Sequence, residues 1–261
     1  TLFDGMVVES VLIPTEKRIT ACVSSQVGCS LACKFCATAR LKRQRNLTPD
    51  EIYDQVVAIK EQAELFFNRP LTNIVFMGMG EPLLNYANVV SAIEKITSQK
   101  GLNMASRRIT VSTVGVAKMI EKMADDNVKF NLAVSLHAAI DKTRSSIMPI
   151  NDTNSLKELG DALRYWYDKT GRKVTYEYVV WKGINDNEEH ARALLKFCKI
   201  IPSKVNLIEY NPIDDGEFQQ ASEQSLNMYM EILESQGITT RIRKSRGKDI
   251  DAACGQLANK T

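Results

Sequence analysis

The chain has 261 residues, 44% of them hydrophobic and 25% charged, with a formal net charge of +3. That balance belongs to a globular chain with room for a substantial core, and it excludes a disordered or fibrous one. No apolar run approaches the ~20 residues of a membrane span, no signal-peptide pattern opens the sequence, and six cysteines are too few for a disulfide scaffold.

Residues 6–14 read as an extra strand or hairpin arm. Strand-like, β-branched runs follow at 19–25, 73–77, 109–112, 131–136, 175–180 and 205–210, with a weaker seventh at 240–243. Helical patterns alternate with them. The clearest opens on Thr48-Pro49-Asp50-Glu51, a capping box with proline at the first helical position, and continues through Ile52, Val56, Ile59 and Ala63. Others lie at 86–98, 116–125, 155–169, 188–200 and 222–236. Strand, helix, strand at this spacing implies parallel strands with right-handed crossovers. The expected fold is α/β, a partial TIM-like (βα)6 barrel over 19–261 preceded by an N-terminal arm over 1–18.

The stretch Gly28-Cys29-Ser30-Leu31-Ala32-Cys33-Lys34-Phe35-Cys36 packs three thiols behind the first strand. Three is an odd number for disulfides and one short of a closed zinc site, so zinc would need Cys22, His137 or Cys198 as its fourth ligand. A [4Fe–4S] cluster with one iron left open needs three thiolates and no more. The other unusual residues also follow strands: Gly78-Met79-Gly80-Glu81-Pro82, Ser112-Thr113, Ser135-Leu136-His137 and Asn211-Pro212. Strand C-terminal ends are the face on which βα barrels build their active sites.

The remaining cysteines differ in setting. Cys198 sits on a buried-looking helix face and reads as core. Cys22 lies inside the first strand, and Cys254 lies in a loop after the last one. Arg40, Lys42, Arg43 and Arg45 form one basic run, and Arg241, Arg243, Lys244, Arg246 and Lys248 form another. Each alone reads as a solvated face; both beside the expected site make a polyanionic substrate worth testing.

The C-x3-C-x2-C spacing after a first barrel strand resembles the radical S-adenosylmethionine (SAM) superfamily. The resemblance implies a [4Fe–4S] cluster on Cys29, Cys33 and Cys36, with SAM bound to the open iron and cleaved to a 5′-deoxyadenosyl radical. Gly80 would let backbone approach SAM closely, Glu81 would accept from its amino group, and Ser112, Ser135, Leu136, His137 and Asn211 would complete the SAM pocket.

A closer resemblance runs along the whole chain. Glu9-Ser10-Val11-Leu12-Ile13-Pro14, Arg45-Asn46-Leu47-Thr48, Gly80-Glu81-Pro82-Leu83-Leu84-Asn85, Ile147-Met148-Pro149-Ile150-Asn151 and Asp249-Ile250-Asp251-Ala252-Ala253-Cys254-Gly255-Gln256-Leu257 resemble the RlmN family. That family implies methylation of carbon 2 of an adenosine in 23S rRNA, with the adenosine beside the tRNA anticodon as a second candidate. It implies two SAM molecules per turnover, a methyl group carried on Cys254, a proton taken by Glu9, and a disulfide from Cys22 that frees the product. It also implies an electron donor such as flavodoxin, a cytoplasmic location and a monomer. The sibling Cfr family, acting on carbon 8, is the alternative within this chemistry; another radical SAM reaction such as sulfur insertion and a non-catalytic, metal-stabilised RNA-binding module are the alternatives outside it. The chain departs from the family at Ala39, where glycine is usual, and over 40–44. Family members also carry an N-terminal RNA-binding domain, whereas this sequence opens on Thr1, just short of the barrel, as a processed product or fragment would.

Overall fold

In a computed structural model, described for residues 1–213, 217–247 and 250–259, the β-branched runs become one curled sheet. The first strands are β1 (Val11–Pro14), β2 (Ile19–Cys22) and a small separate hairpin pair, β3 (Gln26–Val27) with β4 (Arg45–Asn46). They are followed by β5 (Asn73–Phe76), β6 (Ile109–Thr113), β7 (Asn131–Ser135), β8 (Val174–Val179), β9 (Ser203–Ile208) and β10 (Thr239–Arg243). The main sheet runs β1-β2-β5-β6-β7-β8-β9-β10. Only β1 is antiparallel to its neighbour; the rest pair in parallel. β1 and β10 stand at opposite edges, so the barrel is open rather than closed. The arm expected over 6–14 is thus the sheet's extra strand, and the weak seventh run is its far edge.

The helices are α1 (Pro49–Phe67), α2 (Tyr86–Thr97), α3 (Ala117–Asp125), α4 (Asp141–Ile147), α5 (Leu156–Thr170), α6 (Glu188–Cys198) and α7 (Glu223–Glu234). The capping box of α1 forms as read: Thr48 Oγ1 accepts from the Glu51 N–H at 3.2 Å, and a Glu51 carboxylate oxygen accepts from the Thr48 N–H at 2.9 Å. Among the described residues no helix is long and apolar enough to cross a membrane.

Side chains alternate along each parallel strand, and the alternation divides core from site. Ile19 and Ala21 of β2, Ile109 and Val111 of β6, Val174, Tyr176 and Tyr178 of β8, and Val205 and Leu207 of β9 point outward into the core beneath the helices. Their neighbours Thr20, Cys22, Thr110, Ser112, Thr175, Glu177 and Asn206 face the inside of the curl. A barrel filled by branched side chains would put hydrocarbon there. This one sets small and polar groups among a few branched ones, Val75, Val179 and Ile208, which leaves room for a cavity.

Two readings need correction. Arg45 does not belong to a solvated basic face, because its guanidinium pairs with Glu51 at 2.8 Å and Asp4 at 2.7 Å. In the second run Arg243 likewise turns inward, half-buried and paired with Glu177 at 3.7 Å, while Arg241, Lys244 and Arg246 are exposed, as a solvated face requires, at the rim of the cavity. Lys248 of that run and Asp249 of the C-terminal motif lie outside the described residues. Cys198 is buried in the helix-side core, as its position on α6 predicts.

Candidate active site

A cavity of about 650 Å³ opens inside the curl of the sheet. Its wall takes Cys22 from β2, the cysteine loop, residues after β5, β6 and β7, Asn211 after β9, Arg243 of β10 and Cys254. Of the residues singled out in the sequence, Cys29, Cys33, Cys36, Gly80, Glu81, Ser112, Ser135, His137, Asn211, Cys22 and Cys254 all face this one space. Leu136 and Glu9 do not line it.

The cysteine loop follows β3 and passes through Ala32 in the left-handed region, φ 52°. Burial pushes the Cys29 thiol up to about 11 and raises Cys33 and Cys36 as well. Against that, the N–H groups of Leu31 and Ser30 point at Cys29, and those of Ala39 and Thr38, with the Thr38 hydroxyl, point at Cys36. Donors aimed at sulfur stabilise thiolates, the form that binds metal. A cluster would take each of the three thiolates on a different iron, whereas a single zinc ion would need a fourth ligand. Of the residues that could complete a zinc site, Cys198 is on the far side of the sheet, whereas Cys22 and His137 face the same cavity, His137 accepting the Val179 N–H on Nδ1 at 3.2 Å.

The opposite wall is built around Glu81. Its carboxylate accepts from the Leu83 N–H at 3.0 Å and the Val114 N–H at 2.9 Å, which ties the loop after β5 to the end of β6. Burial nonetheless pushes it up to about 7, against those donors. The loop itself is anchored by the Glu81 N–H, which donates to Gln26 Oε1 at 2.8 Å. Gly80, φ 91°, is where that loop meets the residues after β2: a Cβ there would lie 2.5 Å from the Gln26 Cβ. The glycine is therefore demanded by contact between two loops. Ser112 and Ser135 face each other with hydroxyls 3.4 Å apart. Leu136 contributes backbone only, its carbonyl turned to Arg144 at 3.1 Å. Asn211 donates to the Cys254 carbonyl at 3.1 Å, while its own Oδ1 is buried on the cavity wall without a partner among the described residues. An orphaned acceptor at a cavity wall marks a place for a donor on a ligand.

The third wall is the thiol pair. Cys254 is open to the cavity rather than to bulk water, which explains how it is both exposed and surrounded by protein. Burial pushes Cys22 up to about 12 and raises Cys254, and the Arg243 guanidinium opposes both shifts. Arg243 is held by the Glu177 carboxylate at 3.7 Å, and Glu177 in turn accepts from Asn206 at 2.8 Å. The Cys254 loop is tied to the cysteine loop by the Ala37 N–H on the Gly255 carbonyl at 2.7 Å and the Thr38 hydroxyl on the Leu257 carbonyl at 2.6 Å. Gly255, φ 87°, allows that approach. Glu9 stands behind this loop, its carboxylate accepting from the Asn259 N–H at 2.9 Å.

The sequence pattern that describes the radical SAM superfamily matches residues 23–195. The probable dual-specificity RNA methyltransferase RlmN of Flavobacterium psychrophilum is 70% identical over 259 residues, 99% of this chain and 75% of that protein. The chain belongs to the RlmN family of radical SAM enzymes. The RlmN protein of Salinibacter ruber is 51% identical over 98% of the chain and 71% of its own length. A crystal structure of a radical SAM methyltransferase from Sphaerobacter thermophilus superposes with a TM-score of 0.96 at 43% identity, over 99% of this chain and 75% of that one. As an RlmN family member the chain is a SAM-dependent radical methyltransferase. The triad, Glu81, Ser112, Ser135 and His137 fall within the superfamily match, whereas Glu9, Cys22, Asn211 and Cys254 lie outside it. Sequence reasoning missed Arg243, Glu177, Asn206 and Arg144 as members of the site. Strand alternation in β10 was the available signal for Arg243, since Arg241 and Arg243 must share a face.

Proposed function

We propose that this chain methylates carbon 2 of an adenosine in 23S rRNA, and the adenosine beside the tRNA anticodon, through a methylated Cys254 and a transient disulfide with Cys22. The observation that carries the reading is that Cys22 and Cys254, from opposite ends of the sequence, line one cavity with Cys29, Cys33 and Cys36. The relatives' name, dual-specificity RNA methyltransferase, supports an RNA substrate of two kinds. Arg241, Lys244 and Arg246 along the cavity supply charge for phosphates.

Cys29, Cys33 and Cys36 hold the [4Fe–4S] cluster in this reading, and Glu81, Ser112, Ser135, His137 and Asn211 hold SAM, with Gly80 and Leu136 fixing the backbone between them. When bound, the cluster and SAM supply one-electron cleavage of a carbon–sulfur bond, fed by a donor such as flavodoxin. Carbon 2 lies between two ring nitrogens and is electron-poor, so it resists transfer of an electrophilic methyl group; a carbon radical avoids that barrier. Cys254 takes the methyl group in one step and presents it to the ring in the next, so each turnover consumes two SAM. Glu9 takes the ring proton, after its carboxylate leaves the Asn259 N–H, and the adduct's one unpaired electron would pass back to the cluster that the triad would hold. The Cys22 thiolate then bonds to the Cys254 sulfur, the electron pair of the broken sulfur–carbon bond stays on the carbon, which takes a proton and becomes the new methyl group, and an external thiol reductant restores the two thiols. Arg243 serves both thiols as a shared cation, favouring the thiolate that each step needs.

The test separates the two thiols. Cys254→Ala gives neither methylated protein nor RNA adduct, while Cys22→Ala, purified with its methyl group, leaves a slow-migrating protein–RNA band on denaturing gels. A Cys22→Ala protein that turns over freely overturns the pairing. Chromatography of the digested RNA against 2-methyl- and 8-methyladenosine fixes the atom, and the 8-methyl product would assign Cfr-type chemistry instead.

A further inference from the structure

Arg144 of α4 is fully buried, and among the described residues it makes no ion pair. Its partners are neutral: Nε donates to the Leu136 carbonyl at 3.1 Å, Nη2 to the Val114 carbonyl at 2.5 Å, and Nη1 to Asn151 Oδ1 at 2.9 Å. Asn151 is oriented in turn by donating to Asp141 at 2.9 Å and Ser145 at 3.0 Å. A buried cation is costly unless an anion answers it. The Asp141 carboxylate acts on it across Asn151 without pairing with it, so the arrangement leaves a place for a further anion in the loaded state.

The geometry also shows where the guanidinium reaches. Val114, whose carbonyl it holds, gives its own N–H to Glu81. Leu136, whose carbonyl it also holds, gives its own N–H to the Glu177 carbonyl at 3.0 Å. On the third side, α4 abuts the cysteine loop: the Lys34 N–H donates to the Ile147 carbonyl at 3.1 Å, and Cys33 packs among Ile147 and Met148. One side chain thus joins the loops after β6 and β7, and its helix seats the middle cysteine.

We propose that Arg144 is a positioning residue with two effects, clamping the Glu81 and Leu136 walls of the SAM pocket and supplying the buried countercharge to the cluster beside Cys33. This rests on the reading of the triad as a cluster site. A fixed cation beside a cluster favours the reduced, more negative state and so raises its reduction potential. The clamp keeps the SAM-facing backbone in register, as groups behind the direct ligands of metal sites do.

The test uses cluster-loaded wild-type protein with Arg144→Lys, Arg144→Met and Asn151→Ala, read by iron and sulfide content, EPR-monitored redox titration and SAM binding. Arg144→Lys keeps the charge and loses the planar fork, so its potential stays near wild type while the SAM Kd rises about tenfold or more. Arg144→Met loses both, with a potential shifted to more negative values and a comparable rise in Kd. Asn151→Ala leaves the charge and loosens the fork, so it weakens SAM binding at unchanged potential, and it decides the clamp if Arg144→Met does not fold. In that event Arg144→Gln, uncharged but still able to donate to a carbonyl, decides the charge, and a wild-type potential in that variant overturns the countercharge. An Arg144→Met protein with wild-type potential overturns the countercharge, and unchanged SAM affinity in Arg144→Lys and Asn151→Ala overturns the clamp. A wild-type chain without iron and sulfide would overturn the cluster assignment and this proposal with it. Full wild-type iron with indifferent variants overturns the proposal alone.

Discussion

Replacing Gly80 by alanine tests whether that glycine serves the protein or the ligand. The new Cβ would lie 2.5 Å from Gln26 Cβ and 2.9 Å from the Gln26 nitrogen, on a backbone held at φ 91°. Neither contact is a flexible side-chain tip, so the loop after β5 must lift away from the residues after β2. Lifting it breaks the hydrogen bond from the Glu81 N–H to Gln26 Oε1 and leaves a buried donor unpaired. Left-handed strain and that lost bond together cost about 2–4 kcal/mol. For a chain of this size the melting temperature then falls by roughly 4–16 °C. Because Glu81 moves with the loop, SAM binding to the cluster-loaded protein weakens in parallel. Calorimetry of the apo protein and equilibrium dialysis with SAM measure the two effects separately. A wild-type melting temperature refutes the packing argument, and a lowered one with unaltered SAM affinity refutes the link from Gly80 to Glu81.

Two further outcomes follow from the site. Cys33→Ala abolishes bound iron and sulfide and reductive cleavage of SAM, measured by metal analysis and product chromatography; full iron retention would sink the triad assignment. His137 is buried and pushed down to about 3, so its ring stays neutral, with Nδ1 accepting from Val179. Since the unfolded ring protonates near 6.5, stability from this group is complete above that value and is lost as pH falls toward 3. His137→Asn, which suits the left-handed backbone at φ 56°, flattens that acid limb in urea titrations; an unaltered limb counts against the assignment.

The strand cores were legible because β-branched runs with outward apolar residues leave a period that needs no tertiary knowledge. The cysteine loop and the strand-end motifs were legible for a related reason, since their chemistry is carried by residue type and place. Helix α4 was not: Asp141–Ile147, DKTRSSI, has no apolar stripe, and its anchor is a buried arginine, which sequence patterns assign to solvent. The hairpin of β3 and β4 has two residues per strand, too few for any alternation to show. Gly80 was seen as a glycine with a purpose, yet the neighbour that excludes its side chain, Gln26, is brought there only by the fold. The inward turn of Arg243 was available from its spacing to Arg241, but the density of charge around it concealed the face.

The strap that carries Cys254 is tied at one end to residues near the start of the chain: Asn259 binds Glu9 and the Val7 carbonyl, and Arg246 binds the Pro14 carbonyl. Contacts spanning almost the whole sequence are the last that a growing chain can make. At about 5–20 residues per second, the ribosome places Cys254 some 10–50 s after Cys22, since roughly 230 residues separate them. Throughout that interval the sheet has strands to assemble, while the Cys254 strap that ties to the cysteine loop has yet to be made. The inside of the curl is therefore open to its surroundings during synthesis until this strap is laid across it.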